Sequence, residues 1–263
     1  MKGELIDADL VARQVARHDL DWRYSRETGS TNADVLDHYA EFRREVVAFS
    51  ETQNAGRGRR GRQWHSPYAS NIYCTVGMLK ALPANRQGLL SIVTGLALCR
   101  ALRQSADASV SLKWPNDLLF GGRKLGGILI ESRPHDDEQL FFFAIGFGLN
   151  VFMQASELAE IAQPAASLDQ AAGRPLDRTE LLTAAIDGVV RAVRAFDPDD
   201  VEPVIAEFEA CDAFYGQEVE LTSAGASVRG INRGIAGDGQ LRLETETGES
   251  LHSSAEISLR PGL

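Results

Sequence analysis

The chain has 263 residues, 44% of them hydrophobic and 7% aromatic, with a formal net charge of −10 and a pI near 5.0. That length holds one large domain, or one domain with a small appendage, and an acidic surface of this kind is a poor partner for duplex nucleic acid. No run of 18 apolar residues occurs, which excludes a bilayer-spanning helix.

The N-terminus, Met1-Lys2-Gly3-Glu4-Leu5-Ile6-Asp7, turns acidic at once and lacks a signal peptide's apolar stretch. Cys74, Cys99 and Cys211 are odd in number and far apart, which suits a reducing cytoplasm. The five histidines show no zinc spacing.

Residues 4–19 carry a weak helical pattern, followed by a strand near Asp21–Glu27. Ser30-Thr31-Asn32 then opens a helix over Ala33–Arg44, with Ser30 or Thr31 as its cap. Capping alone is the bland explanation of that tripeptide. Glu45–Glu51 reads as a buried strand and Ser70–Met78 as another. Leu89–Leu102 is apolar nearly all round and reads as a core helix. Val110–Phe120 and Lys124–Arg133 read as a hairpin turning at Gly121-Gly122, with Gln139–Val151 as the next strand. Helices over Thr179–Phe196 and Val201–Asp212 close a main domain, expected over 1–213. Beyond it, 214–263 reads as a small β-barrel built from Gln217–Leu221, Ser227–Ala236, Gln240–Glu246 and Glu249–Leu259. The fold class is therefore α+β.

Four segments point to chemistry. Gln53-Asn54-Ala55-Gly56-Arg57-Gly58-Arg59-Arg60-Gly61-Arg62 packs four arginines into an acidic chain. Glycine lets backbone approach a ligand, and arginine presents a fork of donors to phosphate or carboxylate. The segment describes a mobile cationic loop that closes over an anion; its bland alternative is a solvated basic loop. Gly56, Gly58 and Gly61 match the dinucleotide fingerprint literally. However, Gln63-Trp64-His65-Ser66-Pro67 is a poor helix start, and residues 77–85 contain no acid. A Walker loop fails as well, for want of Gly-Lys-Ser/Thr.

Lys113-Trp114-Pro115-Asn116-Asp117 is the second segment. Pro115 marks an edge or a deliberate bend, which would aim Lys113, Asn116 and Asp117 at one point. Lys113 can neutralise phosphate, Asn116 can bind a base or sugar, and Asp117 can hold Mg²⁺. Arg123-Lys124-Leu125-Gly126-Gly127 puts a lysine beside backbone open to a ligand. In Gly146-Phe147-Gly148-Leu149-Asn150, two glycines inside an apolar strand suggest close ligand approach, with Asn150 supplying an amide. Only four of the 27 basic residues are lysine, and two of those are Lys113 and Lys124.

In order and spacing, these segments resemble biotin–protein ligases, from about Thr28 to the terminal Glu256-Ile257-Ser258-Leu259-Arg260. The resemblance implies a mixed or antiparallel catalytic sheet of the biotin/lipoate ligase type with a small SH3-like barrel. It also implies a two-step reaction: biotin and MgATP give biotinyl-5′-adenylate, and a lysine of a biotin carboxyl carrier protein domain then takes the biotinyl group. By resemblance, Ser30, Thr31, Asn32, Gln53, Gly56, Arg57, Gly58, Arg59, Lys124 and Gly127 bind biotin. Arg59, Arg60, Arg62, Trp64, Lys113, Asn116, Asp117, Lys124 and Asn150 bind ATP or adenylate. Lys124 and Arg59 act in catalysis, and Asp117 is the expected Mg²⁺ ligand.

Repressor members of that family carry a DNA-binding domain before the Ser-Thr-Asn segment, whereas 29 residues precede Ser30 here. The expectation is an enzyme-only form that is monomeric or weakly dimeric, cytoplasmic, and without DNA or membrane partners. A lipoate or octanoate ligase or transferase and a non-catalytic biotin-responsive regulator are the rival readings.

Overall fold

A computed structural model describes residues 4–261 apart from 138, 173, 224, 225 and 254–256. Lys2 and Glu256, both used in the sequence reading, lie outside the described residues.

Helix α1 (Ala8–Ala16) starts at Asp7, whose carboxylate accepts the Leu10 N–H at 2.9 Å. Strand β1 (Asp21–Ser25), helix α2 (Thr31–Phe42) and strand β2 (Val46–Ser50) form a crossover, and β1 pairs with β2 in parallel. Every other pairing in the sheet is antiparallel. Strand β3 (Ile72–Ala81) lies beside β2, and helix α3 (Leu89–Ala106) follows it. Next come β4 (Ser111–Lys113), β5 (Asp117–Phe120), β6 (Arg123–Pro134) and β7 (Leu140–Leu149). The seven-stranded order is β1-β2-β3-β7-β6-β5-β4.

The expected strand over Val110–Phe120 is in fact two strands, β4 and β5, folded back on each other around Trp114-Pro115-Asn116. Pro115 has no N–H for a ladder, so the chain turns there instead of bending within one strand. The hairpin at Gly121-Gly122 is as expected: φ is +55° and +72°, the pair of left-handed residues that a tight two-residue turn requires.

Short helix α4 (Ala155–Ala159), long amphipathic α5 (Arg178–Ala195) and α6 (Glu202–Cys211) complete the main domain. The larger core lies between the sheet and α1, α3 and α5. On the opposite face a smaller core gathers Val35, Leu36, Tyr39, Val46, Ala48, Phe142 and Ala144, with Tyr39 stacked on Phe142 at 3.7 Å between centroids.

That second face generates the site. Alternate residues of a strand share a face, so β7 presents Phe142, Ala144, Gly146 and Gly148 in turn toward α2. Side-chain volume tapers to nothing along this row. Beyond the N-terminus of α2 the sheet is bare, and a cavity lies over it.

The C-terminal sheet contains β8 (Glu218–Ser223), β9 (Ala226–Ile235), β10 (Leu241–Thr245), β11 (Gly248–His252) and β12 (Ile257–Pro261) in the order β11-β10-β9-β8-β12, all antiparallel. The segment read as a single strand, Glu249–Leu259, therefore supplies two, and the chain between them includes residues outside the described set. Among the described residues β11 and β12 do not pair, so the sheet does not close into the expected barrel.

Asp212 joins the two sheets. It bridges to Leu112 of β4, its Oδ2 accepts from Asn232 Nδ2 at 2.7 Å, and its Oδ1 accepts the Phe214 N–H at 3.0 Å. The residue is partly exposed, yet its carboxylate packs away from water. Burial pushes its pKa up to about 6 against those two hydrogen bonds. The folded protein thus keeps a proton that the unfolded chain gives up near the ordinary value of about 3.9. Its contribution to stability is fully present below about pH 4 and is lost as pH rises through about 6, on the order of 2 kcal/mol. Denaturant titrations across that window should show stability falling with pH, and Asp212→Asn should flatten the slope. An unchanged slope in the variant would assign it to another group.

Candidate active site

The cavity occupies about 420 Å³. Its floor is a patch of three neighbouring strands. Register pairs Tyr73 with Gly148 and Thr75 with Gly146 across β3 and β7, and Gly127 with Gly148 and Leu129 with Gly146 across β6 and β7.

At one end stands the start of α2. Ser30 occupies the cap position but its side chain makes no capping bond, which corrects the expectation of a local cap. Gln53 supplies the bond from a distance. Its Oε1 accepts the Thr31 N–H at 2.9 Å and Thr31 Oγ1 lies 3.3 Å away. The Ser-Thr-Asn segment and Gln53 are therefore one unit, 22 residues apart in sequence. Asn32 is buried; its Nδ2 donates to Leu129 O at 3.2 Å and to Glu131 Oε2 at 2.8 Å, while its Oδ1 accepts from Thr75 Oγ1 at 2.7 Å.

The arginine-rich segment forms a small hairpin. Arg57 bridges to Gln63, the Gly58 N–H donates to Arg62 O at 2.7 Å, and Arg60 and Gly61 turn with φ of +61° and +69°. Arg57, Gly58, Arg59, Arg60 and Arg62 line the cavity; Gly56 does not, and packs instead against Ser66, Trp64 and Gln53. Arg59 Nη1 donates to Asn116 Oδ1 at 3.2 Å. Burial, then the nearby Arg60 charge, draw its pKa below the usual guanidinium value, yet it remains a cation.

The Lys113–Asp117 turn forms the opposite wall. Asn116 is fixed to β6 by two bonds: its Nδ2 donates to Ile128 O at 2.8 Å, and its carbonyl accepts the Ile128 N–H at 2.9 Å. Lys124 Nζ meets Asp117 Oδ1 at 2.6 Å, and both side chains are mostly buried. Asn150 donates from Nδ2 to Ala166 O at 3.1 Å and reaches the cavity from the end of β7.

The two glycines of β7 were expected to let a ligand close in. What comes close here is the protein itself. A Cβ on Gly146 would fall 2.1 Å from Asn32 Oδ1, and one on Gly148 would fall 2.6–2.7 Å from the Trp64 indole. Trp64 also rests on Gly127, with Lys124 Nζ 5.5 Å from its ring centre. Its Nε1 is buried and has no hydrogen-bond partner among the described residues.

Several contributors carried no motif. Glu160–Gln163 and Ala165 form a further wall. Lys124 N–H donates to Pro164 O at 2.9 Å and Ala166 N–H to Lys124 O at 2.8 Å, so this segment extends β6. Thr75 was readable only as a strand residue. Among the described residues no cluster of three His, Cys, Asp or Glu could cage a metal. Asp117 is already paired with Lys124, so it fits a Mg²⁺ held chiefly by phosphate and water, not by a protein cage.

Cations dominate this lining: Arg57, Arg59, Arg60, Arg62, Lys113 and Lys124 face Asp117 and Glu160. Such a cavity can gather two anionic groups over a bare backbone floor.

Residues 24–150 match the biotin/lipoate A/B protein ligase family, and residues 214–260 match the biotin protein ligase C-terminal domain. The chain is 36% identical to the bifunctional ligase/repressor BirA of Escherichia coli, over 88% of this chain and 71% of that relative. It is 31% identical to the biotin–[acetyl-CoA-carboxylase] ligase of Paracoccus denitrificans, over 88% of this chain and 97% of the relative. Its fold is similar to that of the Aquifex aeolicus biotin protein ligase in complex with biotin and ATP. That match has a TM-score of 0.77 and 26% identity, and covers 92% of this chain and 99% of the other.

The indole seat can be tested without any ligand. Gly148→Ala should displace Trp64, shifting the tryptophan emission (identified against Trp64→Phe) and lowering stability by about 1–3 kcal/mol. An unchanged spectrum would mean that the indole does not rest on Gly148.

Proposed function

The chain belongs to the biotin/lipoate A/B protein ligase family, as an ATP-dependent biotin–protein ligase, and from that premise we propose how its residues run the reaction. Biotin's carboxylate oxygen attacks the α-phosphorus of MgATP, the bond to pyrophosphate breaks, and biotinyl-5′-adenylate forms. A lysine amine of a biotin carboxyl carrier protein domain then attacks the acyl carbon, loses a proton, and expels AMP. The carrier reading draws support from relatives whose names specify acetyl-CoA carboxylase as the acceptor.

One observation carries the assignment of roles: Lys124, Lys113 and four loop arginines line one glycine-floored cavity in a chain of net charge −10. The first step forces a carboxylate against a phosphate, and two anions repel. Preorganised cations offset that repulsion and stabilise the charge that builds on the phosphoryl oxygens. Lys124 is the junction cation, held in place by Asp117. Ser30, Thr31, Asn32 and Gln53 bind the ureido ring and valeryl end of biotin beside Gly127, while Trp64 stands near the adenine on the adenylate side and offers its buried N–H. Lys113, Asn116, Asp117 and Asn150 take the nucleotide side together with Arg60 and Arg62. MgATP brings its own metal, which screens the phosphates. Arg57, Gly58 and Arg59 close the loop over the adenylate, and that exclusion of water protects an anhydride prone to hydrolysis. Three unpaired cysteines fit a cytoplasmic setting.

The deciding assay incubates the protein with ATP, Mg²⁺, labelled biotin and an apo carrier domain. Label on the carrier and released pyrophosphate are expected; neither appearing would overturn the reading.

Two variants test the roles. Lys124→Ala should slow pyrophosphate release on the order of 10²–10³-fold, and Lys124→Arg should also be impaired, since a planar fork replaces a point charge poorly in a tight site. An alanine variant making adenylate at near the wild-type rate would remove Lys124 from the junction. Arg59→Gly should leak adenylate and label bystander lysines; leakage at the wild-type level would show that Arg59 does not hold the loop closed.

A further inference from the structure

Glu131 lies outside the cavity lining. It stands on β6 two residues beyond Leu129, which does line the cavity, and so shares that face of the sheet. A single oxygen, Oε2, accepts from Asn32 Nδ2 at 2.8 Å and from Arg57 Nη2 at 3.0 Å. One donor belongs to the cavity floor and the other to the loop above it.

The contacts continue inward. Asn32 is buried, and Gly146 leaves the space in which its amide sits. Its Nδ2 faces Leu129 O and Glu131, while its Oδ1 faces Thr75 Oγ1, which lies 2.8 Å from Thr31 Oγ1. Thr31 is bound in turn by Gln53. An amide with donors satisfied on one side and its acceptor on the other has one orientation. Glu131 therefore fixes which end of Asn32 points where, and the same oxygen fixes where Arg57 stands.

Charge makes the second contact more than a hydrogen bond. Arg57 shares its short loop with Arg59, Arg60 and Arg62, and the loop lines the same cavity as Lys113 and Lys124. Repulsion among these cations opposes closure until an anion is present. A carboxylate at the root of the loop lowers that repulsion on the side where the loop leaves the sheet.

We propose that Glu131 is a positioning residue: it fastens the entry arm of the arginine-rich loop to the cavity floor, so that loop closure and the orientation of Asn32 are set together. The assignment rests on reading the cavity as the biotin and MgATP site. Glu131 touches neither reacting group; it acts through Arg57 and Asn32.

A double-mutant cycle tests this, using Glu131→Ala, Arg57→Ala and the double variant, with Glu131→Gln as an isostere that keeps the acceptor and loses the charge. Two readouts are taken on the full-length protein: adenylate leakage, as biotin label on albumin lysines with no carrier present, and the biotin KM and kcat for pyrophosphate release. Glu131→Ala should raise leakage about three- to tenfold and raise KM for biotin by a larger factor than it lowers kcat. Glu131→Gln should fall between it and wild type. The double variant should leak no more than Arg57→Ala alone, because loop retention depends on the carboxylate through that guanidinium, whereas its contact with Asn32 is read in the biotin KM. Leakage unchanged in both Glu131 variants, or single effects that multiply in the double, would overturn the proposal. Should the alanine variant fail to fold, the glutamine variant completes the same cycle. Wild-type protein that releases pyrophosphate while the cycle shows no coupling sinks this proposal alone. Wild-type protein that releases none sinks the biotin reading as well.

Discussion

A buried ion pair sets the frame from which the site hangs. Glu51 and Arg178 are almost wholly shielded from solvent and meet at 2.6 Å. Glu51 also accepts the Ile6 N–H at 2.9 Å. Arg178 spends further donors on Asn71 O and Glu4 O, while Asn71 Oδ1 takes the Val151 N–H. One pair of charges thereby ties together the N-terminal segment, the exit of β2, the approach to β3, the end of β7 and the first turn of α5. Removing one partner of such a pair strands the other in a low-dielectric interior and typically costs about 3–5 kcal/mol. Two residues beyond Glu51 comes Gln53, which holds the start of α2. The rigid stem and the binding end of the cavity are nearly the same piece of chain.

From that stem the site is made by subtraction. The row Phe142, Ala144, Gly146, Gly148 removes side chains where the sheet runs out from under α2, and Gly127 continues the bare area on β6. Backbone alone cannot supply charge, so the cations arrive from the edges: Lys124 from β6, Lys113 from the turn opposite, the arginines from above. Trp64 lies on the bare patch beside Lys124. Its ring packs on glycine backbone whose polar groups are already paired in the sheet, and its buried N–H has no partner among the described residues.

Much of this was legible because the signals were local. A segment apolar nearly all round located α3, amphipathic periodicity located α5, the all-apolar run located β2, and Gly121-Gly122 fixed the hairpin ahead of Lys124. The Lys113–Asp117 turn announced itself through Pro115, although the sequence alone did not tell a bend from a reversal. What sequence could not supply was the partner of each empty position. Glycine spacing says that something approaches Gly146 and Gly148; only the packed chain says that Asn32 and Trp64 do. The wall at Glu160–Gln163 and Ala165 has no motif, because it works by lending backbone to Lys124. Ser30 misled for a similar reason: a residue type favoured at helix caps stands at the cap, yet the bond comes from Gln53, which no local rule would pair with it.

The strengths of the contacts differ in a way that suits the chemistry. The stem is anchored by a desolvated pair, whereas the loop is held by Arg57 with Glu131, Arg59 with Asn116, and His65 near Glu160, the first and last of them substantially exposed. Exposed pairs of this sort contribute about 0–1 kcal/mol each. Breaking such exposed pairs costs little compared with breaking the desolvated pair under the floor. Four arginines crowd positive charge into one short hairpin lining the cavity, so an anion beneath them would be attracted by several cations at once. On the reading proposed for this cavity, an adenylate beneath the loop would draw the arginines over it without disturbing the sheet. The loop would then respond to occupancy by differential binding, above a floor tied down by the buried Glu51–Arg178 pair.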